Sequence, residues 1–178
     1  MTEQILIGID PDVNKSGVCI LRNCNITKRL TMQLYDVDFT ILIKMLTTIN
    51  SEYEQELIVF IECGFLNKSN WHLRPGDKAK YGSKIGTKIG ANHQVSKLLI
   101  EHCRYNEIQY REIRPGKSKL THKEFSTVTG FEYARTNQEQ RDAAMLLCRS
   151  AEYILMKQKY KEKETNKEFG QLTIWGVK

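Results

Sequence analysis

A run of five consecutive apolar residues, from Leu57 to Ile61, limits the folds open to this chain more than any other feature. Such a run is typical of a strand buried on both faces, because a strand with one solvated face alternates apolar and polar residues. The strand predicted over 56–62 therefore needs elements packed against both sides of its sheet. That requirement favours an α/β fold with helices on each face.

Four more stretches predict strands around this one. Residues 4–10 form a β-favouring run that stops at Pro11, which cannot donate a hydrogen bond into a sheet ladder. Shorter runs over 16–22 and 27–35 predict a second and a third strand, which should form an antiparallel meander with the first. A fifth strand is predicted over 108–113, after the buried one.

Apolar residues at helical spacing predict three helices, over 38–50, around 95–102, and from Thr136 onward. Residues 66–90 and 114–123 read as basic, irregular segments, the first of them dotted with glycines. The resulting order, β-β-β-α-β-α-β-α, resembles the RNase H-like fold, a mixed five-stranded sheet of three antiparallel strands followed by parallel ones. We expect one domain over 1–156 and a charged extension over 157–178. The last helix should bury Ala143, Ala144, Leu147, Ala151 and Leu155.

The charge balance favours a polyanionic partner. Lys and Arg number 27 against 21 Asp and Glu, a formal charge of +6. The five cysteines are widely spaced without a CxxC pair, so we expect free thiols. The sequence has no signal-peptide layout and no membrane-length apolar run, which predicts a cytosolic protein, in a cell or in an infected host.

Three carboxylates fall at the ends of elements that this topology would bring together: Asp10 in the first strand, Glu62 at the end of the fourth, and Asp142 in the last helix. Carboxylates crowded into one cleft raise one another's pKa unless divalent cations neutralise them, and their hard oxygen atoms suit Mg²⁺ or Mn²⁺. Two such ions roughly 3.5–4 Å apart stabilise the attacking and leaving oxygens in phosphodiester hydrolysis. The hypothesis is a two-metal nuclease in which Asp10 bridges the ions and Glu62 and Asp142 complete their shells.

Each acid also has a structural interpretation. Asp10 could simply begin a turn, and Glu62 could be a surface acid at a strand end. Glu139 lies three residues before Asp142 on the same helical face and is a fourth candidate ligand. Thr136 to Glu139 also fits a capping box, in which Glu139 would cap the helix instead. Asp142 precedes two alanines on a helix that must pack closely, where an unpaired acid would be costly.

Three segments resemble motifs of the RuvC family of Holliday-junction resolvases. They are Ile7 to Asp12 followed by Ser16-Gly17, then Phe60 to Glu62, and finally Glu139 to Ala144. The first motif also occurs in actin-like ATPases and sugar kinases, whereas all three at these separations are more specific. The chain departs from the family at Asp12, where glycine is usual, and in a longer, more basic segment after Glu62.

The resemblance implies a homodimeric, Mg²⁺-dependent endonuclease that nicks four-way or otherwise branched DNA, and the length and basic insert suit a phage-type member. It also implies a lysine near the scissile phosphate, which either Lys117 or Lys119 could supply. In similar enzymes an aromatic residue three positions after the second acid lies at the opened centre of the junction. That position is Phe65 here, with Trp71 as a second candidate.

Two basic segments are the predicted DNA-binding surface, because lysines and arginines contact phosphates and interleaved aromatic rings stack on unpaired bases. The alternative to DNA binding is that the charges only keep loops soluble and that Phe65 belongs to the core. Gly82, Gly86 and Gly90 match no phosphate-binding pattern, so we interpret them as turns or a close helix contact. The DNA-binding candidates are Phe65, Lys68, Trp71, Arg74, Lys80, Lys84, Lys88, Arg114, Lys117, Lys119 and Lys123.

Three other functions remain open on the sequence. An RNase H-like nuclease acting on RNA–DNA hybrids or flaps would use the same acids and metals. An actin-like nucleotide binder could share the first motif, although that architecture needs two such lobes. A non-catalytic branched-DNA-binding protein would keep the fold without needing the acids. None of these interpretations involves a membrane, and the nuclease ones require no small-molecule cofactor.

Overall fold

The computed structural model describes residues 4–24, 29–53, 57–67, 78–116, 119–133 and 135–164, the side chains of 24, 29, 78–85 and 159–164 excepted. A five-stranded sheet has the spatial order β3-β2-β1-β4-β5. In it β3, β2 and β1 are antiparallel, whereas β1, β4 and β5 are parallel. This is the predicted RNase H-like arrangement. The strands are β1 (Ile5–Asp10), β2 (Ser16–Cys24), β3 (Arg29–Val37), β4 (Leu57–Glu62) and β5 (Gln109–Ile113).

Helices cover both faces of the sheet, as the run from Leu57 to Ile61 requires. On one face the odd-numbered residues of β1 and β4 pack against α1 and α2. On the other face the even-numbered residues pack against α4, with parts of α3 and α5. The helices are α1 (Phe39–Tyr53), α2 (Lys78–Tyr105), α3 (His122–Thr129), α4 (Gln138–Cys148) and α5 (Ala151–Glu164), and a 3₁₀ turn spans Gly64–Leu66.

Helix α4 lies directly on the backbone of β1 and β2. A Cβ atom at Gly8 would overlap the carbonyl oxygen of Ala143, and one at Gly17 would overlap the carbonyl oxygen of Glu139. These obstacles are backbone atoms, which cannot rotate away as a flexible side chain can. Glycine at positions 8 and 17 therefore sets how closely the acid-bearing helix approaches the strands.

Helix α2 begins much earlier than the sequence predicted. Residues 78–90, interpreted as part of an irregular basic segment, are helical. Helix growth beyond a formed nucleus is cooperative, so the glycines weaken this half of α2 without ending it. The interpretation of Gly82, Gly86 and Gly90 as turns was wrong. A close helix contact is wrong for Gly86 and Gly90, since a Cβ atom at either would meet nothing within 4 Å.

The predicted last helix is two helices in the structure, and two of the five residues predicted for its buried face are exposed. Helix α4 ends at Cys148, and Ser150 then accepts a hydrogen bond from the backbone N–H of Tyr153 at 3.1 Å, which caps α5. The break rotates the buried face. Ala143, Ala144 and Leu147 are buried as predicted, whereas Ala151 and Leu155 are exposed and Tyr153 and Met156 are buried instead.

Helix α3 was not predicted, although its signals are local. Thr121 and Glu124 form a reciprocal capping box, and Gly130 ends the helix at φ 76°. Of the loop predicted over 114–123, residues 114–116 and 119–121 lie outside any helix or strand, 122 and 123 belong to α3, and 117 and 118 lie outside the described residues.

The remaining expectations concern the cysteines, the third strand, the C-terminal extension and membrane spans. The cysteines at 19, 63, 103 and 148 are free thiols. Residues 27 and 28 of the predicted third strand lie outside the described residues. Helix α5 continues past residue 156, and the division into a domain and an extension stays a prediction. Within the described ranges, no helix is long and apolar enough to cross a membrane.

We expect Gly17→Ala to lower the free energy of unfolding by about 1–3 kcal/mol, because the added methyl group overpacks the α4 contact. Gly86→Ala is the matched control. It lies in exposed helix with open space around it and should raise stability by roughly 0.5–1 kcal/mol. Urea unfolding followed by circular dichroism measures both. Equal stability of Gly17→Ala and the wild type would disprove the backbone contact.

Candidate active site

Asp10 and Glu62 end two neighbouring parallel strands on the same face of the sheet. The register pairs Ile9 with Ile61, so the next residue of each strand lies at the same level. Alternation along the strands directs Leu6, Ile58 and Phe60 towards α4, and Asp10 and Glu62 continue that alternation. Both side chains are partly buried. The sheet therefore brings together two acids that are 52 positions apart in the sequence.

Helix α4 supplies the third acid. Its close packing on Gly8 and Gly17 places Asp142 over the ends of β1 and β4. The carboxylate is only 11% exposed, and its Oδ1 atom accepts a hydrogen bond of 2.8 Å from Gln138. Its Oδ2 atom forms an ion pair with Lys119. Asp142 is thus held on both oxygens.

The charges of these acids act on one another. Burial and the charge of Glu62 raise the pKa of Asp10 to about 8; Lys119 opposes this shift, and Asp142 and Glu139 add to it. Burial likewise raises the pKa of Glu62, with Lys119 and Arg149 lowering it and Asp142 raising it. One carboxyl of such a group stays protonated at neutral pH unless positive charge is added.

Glu139 does not cap α4. The cap is Asn137, whose side chain accepts a hydrogen bond of 2.8 Å from the backbone N–H of Gln140. The Gln140 side chain in turn accepts one of 3.0 Å from the backbone N–H of Asn137. The capping box lies one residue later than the sequence suggested, because the helix begins at Gln138. Glu139 is therefore exposed in the first turn, where its charge acts on Asp10.

Lys119 provides positive charge among the acids. Burial lowers its pKa, but its hydrogen bond to Asp142 and the charges of Asp142, Asp10 and Glu62 outweigh burial, so the pKa is raised and the ammonium stays charged. Lys117, the alternative loop lysine, lies outside the described residues. Sequence reasoning could not choose between the two, and the structure places Lys119 beside the carboxylates.

Arg141, a residue that sequence reasoning missed, holds the Lys119 loop against α4. Its guanidinium donates to the backbone oxygen of Leu120 at 2.9 Å and to that of Thr136 at 2.7 Å. Arg149 was also missed. A Cβ atom at Gly116 would lie 2.6 Å from Arg149 Nη1, so this guanidinium lies against the chain just after β5. Its charge also lowers the pKa of Glu62. Neither contact has a signal in a single sequence, since each joins distant segments.

The donor chemistry of the site fits a hard divalent cation. Carboxylate oxygens on three rigid elements, one with a pKa of about 8, are the ligands that Mg²⁺ or Mn²⁺ would stabilise by adding charge. Among the described residues, no three His, Cys, Asp or Glu side chains already form a closed ligand set. The Oδ2 atom of Asp142 is instead paired with the Lys119 ammonium.

Phe65 lies in the 3₁₀ turn after β4. Its ring is partly buried against the core, meets His93 edge-on at 6.1 Å between ring centroids, and has the Lys97 ammonium 5.9 Å from its centre. The ring thus has contacts with the core, His93 and Lys97. The role of Phe65 as a wedge in DNA stays a prediction.

The predicted DNA-binding residues are distributed unevenly over the described chain. Lys88 is exposed on α2 and lies 3.5 Å from Asp12, and Arg114 and Lys123 are exposed, Lys123 on α3 rather than in a loop. Lys80 and Lys84 lie in α2, where the structure describes the backbone and not their side chains. The remaining candidates, Lys68, Trp71, Arg74 and Lys117, lie outside the described residues.

Comparisons with known proteins bear on the fold. No protein-family model and no curated protein matches the sequence. Among solved structures, the chain is similar to T. thermophilus RuvC in complex with a Holliday junction substrate, with 14% identity, a TM-score of 0.51, and coverage of 86% of this chain and 96% of that one. The fowlpox virus resolvase with Holliday junction DNA has 11% identity, a TM-score of 0.42 and coverage of 87% and 98%. The yeast mitochondrial Holliday junction resolvase Ydc2 has 9% identity and a TM-score of 0.41, with coverage of 91% of this chain and 84% of that one. The chain therefore has a fold similar to that of T. thermophilus RuvC.

Proposed function

We propose that this protein is a metal-dependent endonuclease that cuts branched DNA, with the four-way junction as its preferred substrate. The observation that carries the proposal is the meeting of Asp10, Glu62 and Asp142 from three elements on one sheet face, where burial and the neighbouring carboxylates raise the pKa of Asp10. A structural role would not require three partly buried acids to repel one another. A cation-binding catalytic role would.

Asp10, Glu62 and Asp142 would hold two Mg²⁺ ions, and Mn²⁺ should substitute for them. When bound, the ions supply Lewis-acid stabilisation of the phosphate and of the attacking and leaving oxygens. The exposed Glu139 carboxylate in the first turn of α4 can add a further oxygen ligand. The Lys119 ammonium, released from Asp142, can donate a charge-assisted hydrogen bond to a phosphate oxygen.

The substrate is supported by charge as well as by fold. The net charge of +6 favours a polyanion, Lys119 lies among the acids, Lys88 of α2 lies beside Asp12, and Lys123 is exposed on α3. The T. thermophilus relative was solved with a Holliday junction substrate. We further propose a homodimer of the phage type, acting in a bacterial or infected-host cytoplasm, because paired cuts in a two-fold junction need two active sites.

Cleavage of defined substrates tests this function. Purified protein is incubated with a labelled four-way junction, a matched linear duplex and an RNA–DNA hybrid, in Mg²⁺ or EDTA, beside Asp142→Asn. We expect paired nicks in the junction alone, which disappear with EDTA and in the variant. Cleavage of the hybrid would instead indicate another RNase H-like nuclease, and junction binding without cleavage would indicate a scaffold. A protein that stays monomeric on the junction would overturn the dimer.

Asp10→Asn should separate catalysis from folding. Loss of an outer-shell partner typically costs roughly 10–100-fold, so loss of a ligand should lower the cleavage rate by about 100-fold or more. Without metal, the variant should be more stable than the wild type. The folded pKa of Asp10, about 8, lies above the unfolded value of 3.8, so ionisation of Asp10 costs the wild type stability as pH rises between these values, and the variant lacks that contribution.

Urea titrations of both proteins in EDTA from pH 4 to pH 9 measure that difference, which should grow up to about pH 8 and then level off. A pH-independent difference would contradict the coupling among the acids. Retained Mg²⁺-dependent cleavage by Asp10→Asn would contradict the catalytic assignment.

A further inference from the structure

The turn that follows Asp10 is clamped by one side chain of α2. The Oδ1 atom of Asn92 accepts a hydrogen bond from the Val13 N–H at 3.0 Å, and its amide group donates to Asp12 Oδ2 at 3.2 Å. Lys88, one helical turn earlier, lies 3.5 Å from the same carboxylate oxygen. The first residues after β1 are therefore tied to a helix that starts 68 positions later.

Ser96, one turn after Asn92, reaches the second sheet acid. This residue is 2% exposed, and its hydroxyl lies 3.1 Å from the backbone oxygen of Glu62 and 3.1 Å from that of Asn92. A hydroxyl has one proton, so it donates to one of these oxygens at a time. The contact holds the end of β4 against the same face of α2 that holds the turn after β1.

Both contacts lie where the pairing between the two acid-bearing strands ends. The parallel pairing between β1 and β4 stops at Ile9 and Ile61, one residue before the two acids, although Asp10 still pairs with Gly17 of β2 and Glu62 with Ile113 of β5. Val13, Asn14 and Lys15 beyond Asp10 are exposed. Metal-binding side chains must be held within roughly 0.5 Å of productive geometry, and packing or hydrogen bonds from neighbouring residues provide that precision.

We propose that Asn92 and Ser96 are positioning residues for metal binding: they hold Asp10 and Glu62, through the turn after β1 and the end of β4, at the spacing that the cations require. The inference rests on the proposed function for the identity of the metal. Neither side chain touches the carboxylates themselves. Because α2 also contains Lys80, Lys84 and Lys88, the same helix connects predicted DNA contacts with the two acids.

Mn²⁺ binding in the absence of DNA tests the proposal directly. Isothermal titration calorimetry is carried out on the wild type, Asn92→Ala, Ser96→Ala and Gln94→Ala, the last an exposed polar residue of the same helix. Asn92→Ala and Ser96→Ala should each weaken Mn²⁺ binding by roughly 10-fold or more. Gln94→Ala should bind as the wild type does.

Kinetics on the four-way junction separate positioning from DNA binding. We expect kcat to fall about as far as Mn²⁺ affinity in both variants, with KM for the junction within about twofold of the wild type. If Asn92→Ala does not fold, Asn92→Asp keeps the acceptor for Val13 and removes the donor to Asp12. Ser96→Ala deletes a single buried oxygen and tests Glu62 independently.

Thermal unfolding distinguishes this role from a merely structural one. A lower Tm with unchanged Mn²⁺ affinity and unchanged kcat in Asn92→Ala and Ser96→Ala would overturn the proposal. A wild type that binds Mn²⁺ at the acids but cuts no junction would overturn the proposed function only, since Mn²⁺ affinity would still report on the positioning.

Discussion

Helix α4 rests on the backbone of β1 and β2 because Gly8 and Gly17 present no side chain to it. Every other property of the acidic site depends on this contact. It brings Asp142 from a helix near the end of the chain to the carboxyl ends of two central strands. A larger residue at either glycine would move the helix outward and separate its acid from Asp10 and Glu62.

The cost of this packing is electrostatic. Burial and the neighbouring acids raise the pKa of Asp10 to about 8. Lys119 offsets part of the repulsion through its ion pair with Asp142, and Arg141 fixes the loop from which Lys119 reaches in. The fold therefore tolerates a destabilising group of acids at one place, as catalytic sites commonly do. Cations that replaced the lysine would relieve the repulsion and recruit the same acids for chemistry.

The sequence predicted features that depend on local pattern and failed where distant contacts decide. The run from Leu57 to Ile61 predicted the buried strand β4, and their places at strand ends made Asp10 and Glu62 candidate site residues. Helix α3 was missed despite a local capping box, because a basic segment was interpreted as loop throughout. The break at Ser150 reversed the buried face of α5, which no periodicity indicated. Asn92 and Asp12 are 80 positions apart, so their hydrogen bond has no sequence signature.

Locating bound Mn²⁺ by anomalous diffraction from crystals of the wild-type protein tests the central claim most directly. We expect two anomalous peaks roughly 3.5–4 Å apart, with carboxylate oxygens of Asp10, Glu62 and Asp142 around them and Lys119 withdrawn from Asp142. Saturating Mn²⁺ that leaves the Lys119–Asp142 pair intact, with no peak near Asp10, would contradict the claim that these three acids form a metal centre.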